Sequence, residues 1–310
     1  MLAPMGAGEV SMTMLSRGAL LALLSSSLLT ACGTTREAKW DEKPTQTEAT
    51  ADNTDAANSL VEEGDAAWAQ RIDQSQLETA IAKWEEAAKG TANAELYLKL
   101  SRGHYFLADG FYAVAGDAEK RDAHYTAGLD WAEKALGVTA PEFVAASKEG
   151  MKHEEAILKA PVEAVPAMYW YATNLGKWAA SKGFATKLKY KDSIKSTMLH
   201  VQSLDDKYFY SSPYRYFGAF EAATAGIAGG SLEKSEENFK TAVEKNPEYL
   251  GTKVLWADYL AKKQNNRELY EKLLKEVVEA DPAVDPAIEP ENKREQEKAK
   301  KLLANIDDVF

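Results

Sequence analysis

The chain has 310 residues, 45% hydrophobic and 27% charged, with a formal charge of −11. That composition suits a globular body with a sizeable core. The acidic balance excludes a nucleic-acid partner, which needs clustered Lys and Arg, and the single Cys excludes an intramolecular disulfide.

Residues 14–32, MLSRGALLALLSSSLLTAC, run from one basic residue, Arg17, through an apolar stretch to small residues and a Cys. That order is a secretory signal. The apolar stretch is too short and too Ser-rich to span a membrane. Glu9 puts an acid where a leader needs a base, so Met12 or Met14 is the better start. Residues 1–31 are therefore expected to be a signal peptide. Leu29-Thr30-Ala31-Cys32 resembles the lipobox of bacterial lipoproteins. The resemblance implies a lipid on Cys32 and an anchor on the periplasmic side of a bacterial membrane. Gly33, where an Asp would favour inner-membrane retention, points to the outer membrane rather than the inner. Residues 33–57 are rich in Thr, Ala, Asp and Glu and read as a flexible tether, so 32–57 is expected to be lipidated Cys plus tether.

From residue 58 onward apolar positions recur at helical spacing. Helices are expected from Asn58 or Ser59, from Gln76, and over 92–114, 118–136, 141–158, 163–182, 187–206, 213–227, 231–245, 249–263, 266–280 and 291–306. Gly137, Gly183 and Gly229 read as C-caps, and Pro141, Pro166 and Pro213 as first-turn prolines. TAIAKWEEAAK (79–89), AGLDWAEKAL (127–136) and KSEENFKTAVEKNPEYL (234–250) look alike. Each carries a small residue, a larger or apolar one four later and an Ala three further on: Ala80/Trp84/Ala87, Gly128/Ala132/Ala135 and Ser235/Phe239/Ala242. The pattern resembles the second helix of a tetratricopeptide repeat. The expected fold is all-α: a tetratricopeptide-like α-solenoid of antiparallel helix pairs over 58–310, with a concave surface. A Pro-rich linker (280–293) leads to a last, charged helix that turns Leu302, Leu303 and Ile306 inward.

On a helical wheel of VPAMYWYATNLGKWAAS (165–181), Met168, Tyr171, Ala172, Leu175, Trp178 and Ala179 form the core stripe. Trp170, Asn174 and Lys177 fall on a second face. They either pack on the next helix pair and meet solvent, or form the wall of a ligand cleft. SPYRYFGAF (212–220) supplies the facing wall, with Tyr216 and Phe220 on one side of it and Tyr214 and Phe217 on another. The candidate ligand channel is thus Trp170, Asn174, Lys177, Tyr214, Tyr216 and Phe220, with Lys177 near its mouth to hold an anionic headgroup. Lys177, Lys182, Lys187, Lys189, Lys191 and Lys195 crowd one segment with Asp192 as its only acid. That run is a solvated face, a docking patch for an acidic partner or a neighbour of anionic headgroups.

Catalytic signatures are missing. The four His stand far apart in sequence and none lies in an HExxH pattern. NLGKW departs from a phosphate loop, because Tyr171 stands where the first Gly is needed and Trp178 where Ser or Thr is. GIAGG (226–230) reads as a turn. The sequence therefore points to a non-enzyme, with no catalytic residue, metal site or cofactor.

The order of motifs is more telling. PAMYWYATNLGKWA precedes SPYRYFGAFEAATAGIAGG, then a repeat-like helix, then NNRELYEKLLKEVVEADP. This series resembles the TatT family, the lipoprotein T component of TRAP (tripartite ATP-independent periplasmic) transporters, over most of 58–282. The resemblance implies a periplasmic homotrimer with a cleft or pore through each subunit. It also implies a periplasmic solute-binding P component as partner and a hydrophobic or amphipathic ligand. The alternative is a tetratricopeptide lipoprotein that scaffolds envelope assembly without a small ligand.

Overall fold

The computed structural model describes residues 33–42, 51–90 and 92–310, without the side chains of 51–54 and Gly90. The expected signal peptide, Cys32 and residues 43–50 of the expected tether lie outside the described residues.

The fold is all-α. Among the described residues the single β feature is an isolated bridge between Ala225 and Gly230. Short polar side chains start five of the described α-helices by accepting orphan backbone N–H groups, each worth about 1 kcal/mol. Helix α1 (Ala51–Trp68) begins inside the segment expected to be tether. Asp73 caps α2 (Gln74–Ala87), accepting the Ser75 N–H at 2.7 Å. Asn93 caps α3 (Ala94–Phe106), which continues through a π-turn, Leu107–Tyr112, into α4 (Ala113–Ala115). Asp117 caps α5 (Ala118–Thr139), and Pro141 opens α6 (Pro141–Lys148). The short α7 (His153–Ala156) leads to the aromatic helix α8 (Val165–Ser181). Gly183, at φ +95°, turns the chain into α9 (Phe184–Leu204). Helix α10 (Tyr208–Thr224), broken near its start by non-helical backbone at Phe209, Tyr210 and Ser211, precedes α11 (Leu232–Lys245), which Ser231 caps. Helix α12 (Gly251–Leu255) runs into a second π-turn, Trp256–Ala261. Asn266 caps α13 (Arg267–Glu279), and α14 (Glu289–Ala304) ends the set.

The small–large–small triplets explain the pairing. A Cβ on Gly64 would stand 2.5 Å from the Trp84 ring, and one on Gly218 2.8 Å from the Phe239 ring. In these two triplets the large residue, Trp84 or Phe239, therefore fills the place of a missing side chain on the preceding helix. This brings α1 against α2 and α10 against α11. Ser235 Oγ adds a hydrogen bond to the Gly218 carbonyl at 2.6 Å. In the middle triplet Ser101 Oγ donates to the Gly128 carbonyl at 2.7 Å, drawing α3 onto α5.

Helix α14 does more than end the series of helices. Its Glu291 accepts Arg71 Nη2 at 2.7 Å and Arg102 Nη2 at 2.8 Å, and its Arg294 donates to the Gly110 carbonyl at 2.9 Å. Leu302, Leu303 and Ile306 pack on the C-terminal core.

Residues 33–42 depart from the composition-based reading of a free tether. They lie on α5 and α9, with the Thr34, Arg36 and Lys39 N–H groups donating to Thr186 Oγ1, Tyr190 Oη and Glu133 Oε2. The Arg36 guanidinium bridges Asp130 and Glu133. Trp40 meets Phe143 edge-on at 5.3 Å. Burial raises the Glu133 carboxyl to about 7, with Arg36 opposing. Composition averages over the two residues, Arg36 and Trp40, that pin this strap. Gly137 serves the same contact: it lies within α5 rather than at its end, under the Trp40 carbonyl.

Candidate functional site

A cavity of about 920 Å³ lies between α8, α9, α10, α14 and the two π-turns. Small residues make the room. Helix α8 lines it with Ala172, Thr173, Gly176 and Ala180, and α10 with Ser212, Ala219 and Ala223, at the i, i+3/i+4 spacing of one helical face. Tyr105, Tyr169, Tyr216, Phe220 and Tyr259 supply aromatic surface.

The π-turns set the charge of the walls. FLADGFY (106–112) and LWADYLA (255–261) each fit one residue more than an α-helix holds, a device common at functional sites. Asp109 comes from the first turn, and Asp258 with Tyr259 from the second. Asp109 accepts from Lys177 Nζ at 2.5 Å, from Tyr125 Oη at 2.9 Å and from Lys298, which also pairs with Glu295 at 2.7 Å. Burial alone would raise the Asp109 carboxyl; Lys177 and Lys298 outweigh that and hold it well below the usual carboxylate range. Burial likewise would lower the Lys177 ammonium, and Asp109 reverses the effect.

Arg215 differs from these lysines. It is 4% exposed, lines the cavity and has no carboxylate partner among the described residues. Its guanidinium donates to the carbonyls of Tyr210 (3.0 Å) and Phe209 (3.3 Å) and lies 4.1 Å over the Tyr249 ring. Phe209, Tyr210 and Ser211 have φ between +44° and +59°, a left-handed turn that strains side-chain-bearing residues. Arg215 holds that turn together, and Tyr210 stacks on Tyr249 at 5.3 Å. Six cations (Lys177, Lys187, Lys191, Arg215, Lys298, Lys301) face the cavity against three carboxylates (Asp109, Asp258, Glu295), in a chain of net charge −11.

Of the six residues expected from sequence, Lys177, Tyr216 and Phe220 line this cavity. Three stand elsewhere. Trp170 is 4% exposed and packs between Tyr105 (5.5 Å) and Phe209 (5.2 Å). Asn174 is buried against Gly128 and donates to Ser101 Oγ and the Trp170 carbonyl. Tyr214 donates to Asp206 at 2.9 Å, with Lys245 over its ring. The cavity runs along the α8 face that carries Tyr169, Ala172, Thr173, Gly176 and Ala180. Trp170 is turned about 100° from Tyr169 and points into the aromatic core, whereas the long Lys177 side chain reaches the cavity from the same azimuth. Lys177, moreover, is tied to Asp109 rather than free at the mouth.

Sequence reasoning passed over Asp109, Arg215 and Lys298. The first two carried a usable signal, a lone charge inside an apolar run: YFLADGFY and YRYFGAF. Lys298 sits among many charges on α14 and had none. Sequence distance also hid a histidine pair: His104 and His124 meet at 2.8 Å between their Nδ1 atoms, while His104 Nε2 lies 3.2 Å from Glu85. Among the described residues no group of three His, Cys, Asp or Glu could hold a metal ion, and no helix is long and apolar enough to cross a membrane.

A comparison of the sequence with protein families matches the TRAP transporter T-component over residues 91–310. The match includes α14, which lies outside the expected span of 58–282, and omits α1 and α2. None of the curated proteins matches the chain.

Proposed function

The chain belongs to the TRAP transporter T-component family, and from that premise we propose that it is the non-catalytic, lipid-anchored accessory protein of such a transporter. In this reading Cys32 carries the anchor on the periplasmic side, at the outer rather than the inner membrane. The helix pairs are units of a tetratricopeptide-like solenoid, the protein assembles as a homotrimer, and its partner is a periplasmic solute-binding P component. The cavity holds an amphiphile with an apolar body and an acidic head. The excess of cations over carboxylates on a largely apolar wall carries this reading: such a surface attracts an anion and buries a chain. Arg215 is the group best suited to the head, because its charge is met by carbonyls, aromatic rings and the Tyr169 hydroxyl and by no carboxylate among the described residues.

The test is a titration with dodecanoate and with dodecanol on the purified chain and on Ala223→Trp, which fills the cavity. Tighter binding of dodecanoate, lost in Ala223→Trp at unchanged melting temperature, is the expected result. Equal binding of the two probes, or binding indifferent to the filled cavity, would sink the ligand reading.

A further inference from the structure

The strap, the basic run and the rim of the cavity meet at one place, the N-terminal end of α9. Gly33 follows Cys32 in sequence and is packed on the α9 backbone, where a Cβ would stand 2.7 Å from Ala185 C and Thr186 N. Lys189 Nζ donates to Thr35 Oγ1 and the Gly33 carbonyl. Beside this contact Phe184 is 66% exposed and Leu188 51% exposed. Large apolar side chains scattered singly need no explanation, but a pair flanked by lysines does. Lys182 and Lys187 form no ion pair among the described residues, and Lys191 has only its neighbour Asp192, at 3.2 Å. Phe184, Lys187, Leu188 and Lys191 also line the cavity, and Ile227, 65% exposed, stands on its rim as well.

We propose that the N-terminal end of α9 is a docking face for an anionic phospholipid surface and that the cavity opens onto it. Three independent features select a membrane over a protein partner. The described chain leads from this face directly towards the residue read as the anchor. Phe184 and Leu188 are one helical turn apart, so both dip into the headgroup layer together. Four lysines (Lys182, Lys187, Lys189, Lys191) surround them, and each Lys near an anionic leaflet strengthens binding roughly five-fold. With the rim against the bilayer, an acyl chain reaches the cavity without crossing water. The inference rests on the anchored reading for the first of these features and for bringing the protein to the membrane; the apolar pair and the lysines stand without it.

The test uses the full chain carrying Leu188→Cys or Glu86→Cys, an exposed control on α2, labelled with a fluorophore. Each is reconstituted into vesicles of phosphatidylglycerol and phosphatidylcholine (mixed, or phosphatidylcholine alone) containing doxyl-labelled lipid. Acylated Cys32 cannot take a label, so label stoichiometry reports the anchor separately. Two labels per chain would sink the anchor reading, and quenching is then measured on a Cys32→Ser background. The expected result is quenching at residue 188 several-fold above that at 86. It should weaken without phosphatidylglycerol, at 1 M salt, where the Debye length falls to about 3 Å, and in Lys187→Glu/Lys191→Glu. Equal quenching at 188 and 86, or quenching at 188 that ignores lipid charge and the double reversal, would overturn the proposal.

Discussion

The carbonyl oxygen of Trp40 stands where a side chain on residue 137 would begin: a Cβ on Gly137 would overlap it. Gly137→Ala therefore sets two effects against each other. Ala in a helix interior is favoured over Gly by about 1 kcal/mol, so α5 itself gains. The strap, however, must move, and Arg36 loses its hold on Asp130 and Glu133. Hydrogen exchange should show faster exchange at Thr34, Arg36 and Lys39 with α5 no less protected. Unchanged protection of those three amides would contradict this account of the strap.

Asp109→Asn leaves Lys177 and Lys298 facing each other without their shared carboxylate. Removing one partner of a buried pair typically costs about 3–5 kcal/mol. Lys177 is a third exposed, at 34%, so the expectation here is on the order of 2–3 kcal/mol. Chemical denaturation would measure it. The triple variant Asp109→Asn/Lys177→Met/Lys298→Met should recover most of the loss; if it does not, the effect lies in packing and not in charge.

Trp170 and Phe220 both read as channel-lining in the sequence, and the structure separates them. Trp170→Ala should cost about 3–5 kcal/mol, lowering the melting temperature by roughly 10 °C. Phe220→Ala, at the cavity wall, should cost less than half of that while weakening dodecanoate binding. A mild Trp170→Ala would mean that its ring faces space and not Tyr105 and Phe209.

His124 and His153 give the fold a pH dependence. Burial lowers each from 6.5 to about 4, His104 adding to the effect at His124. A group lowered in the folded state supplies stability above its unfolded value and loses it as pH falls through the folded one. The urea midpoint should therefore decline between pH 6.5 and 4. His124→Gln and His153→Gln should each flatten that limb; an unaltered slope in both would assign it to other groups.

Much of the helix order was legible because caps and prolines are local signals: Asn93, Asp117, Ser231 and Asn266 lie at or beside the predicted starts, and Asp73 three residues before one. The triplets around Trp84 and Phe239 were legible for a similar reason, since a small–large–small spacing describes one helix face. What stayed hidden depends on partners distant in sequence. Trp40 reads as one aromatic in a polar tether until Phe143 is seen beside it. Asp109 reads as a lone charge within the helix predicted over 92–114 until Lys177 and Lys298 arrive from α8 and α14. The left-handed turn at Phe209–Ser211 has no glycine to announce it; Arg215 and Tyr249 hold it from outside.

The two π-turns make the chemistry of the cavity wall depend on residue count as well as residue identity. A helix one residue shorter on the N-terminal side of Asp109 would run regularly, with every later side chain turned by about 100° relative to the earlier ones. Asp109 would leave the wall while the net charge of the protein stayed as it is. The charge presented by the cavity wall is thus open to change by single-residue deletion, a kind of variation that substitution scanning never samples.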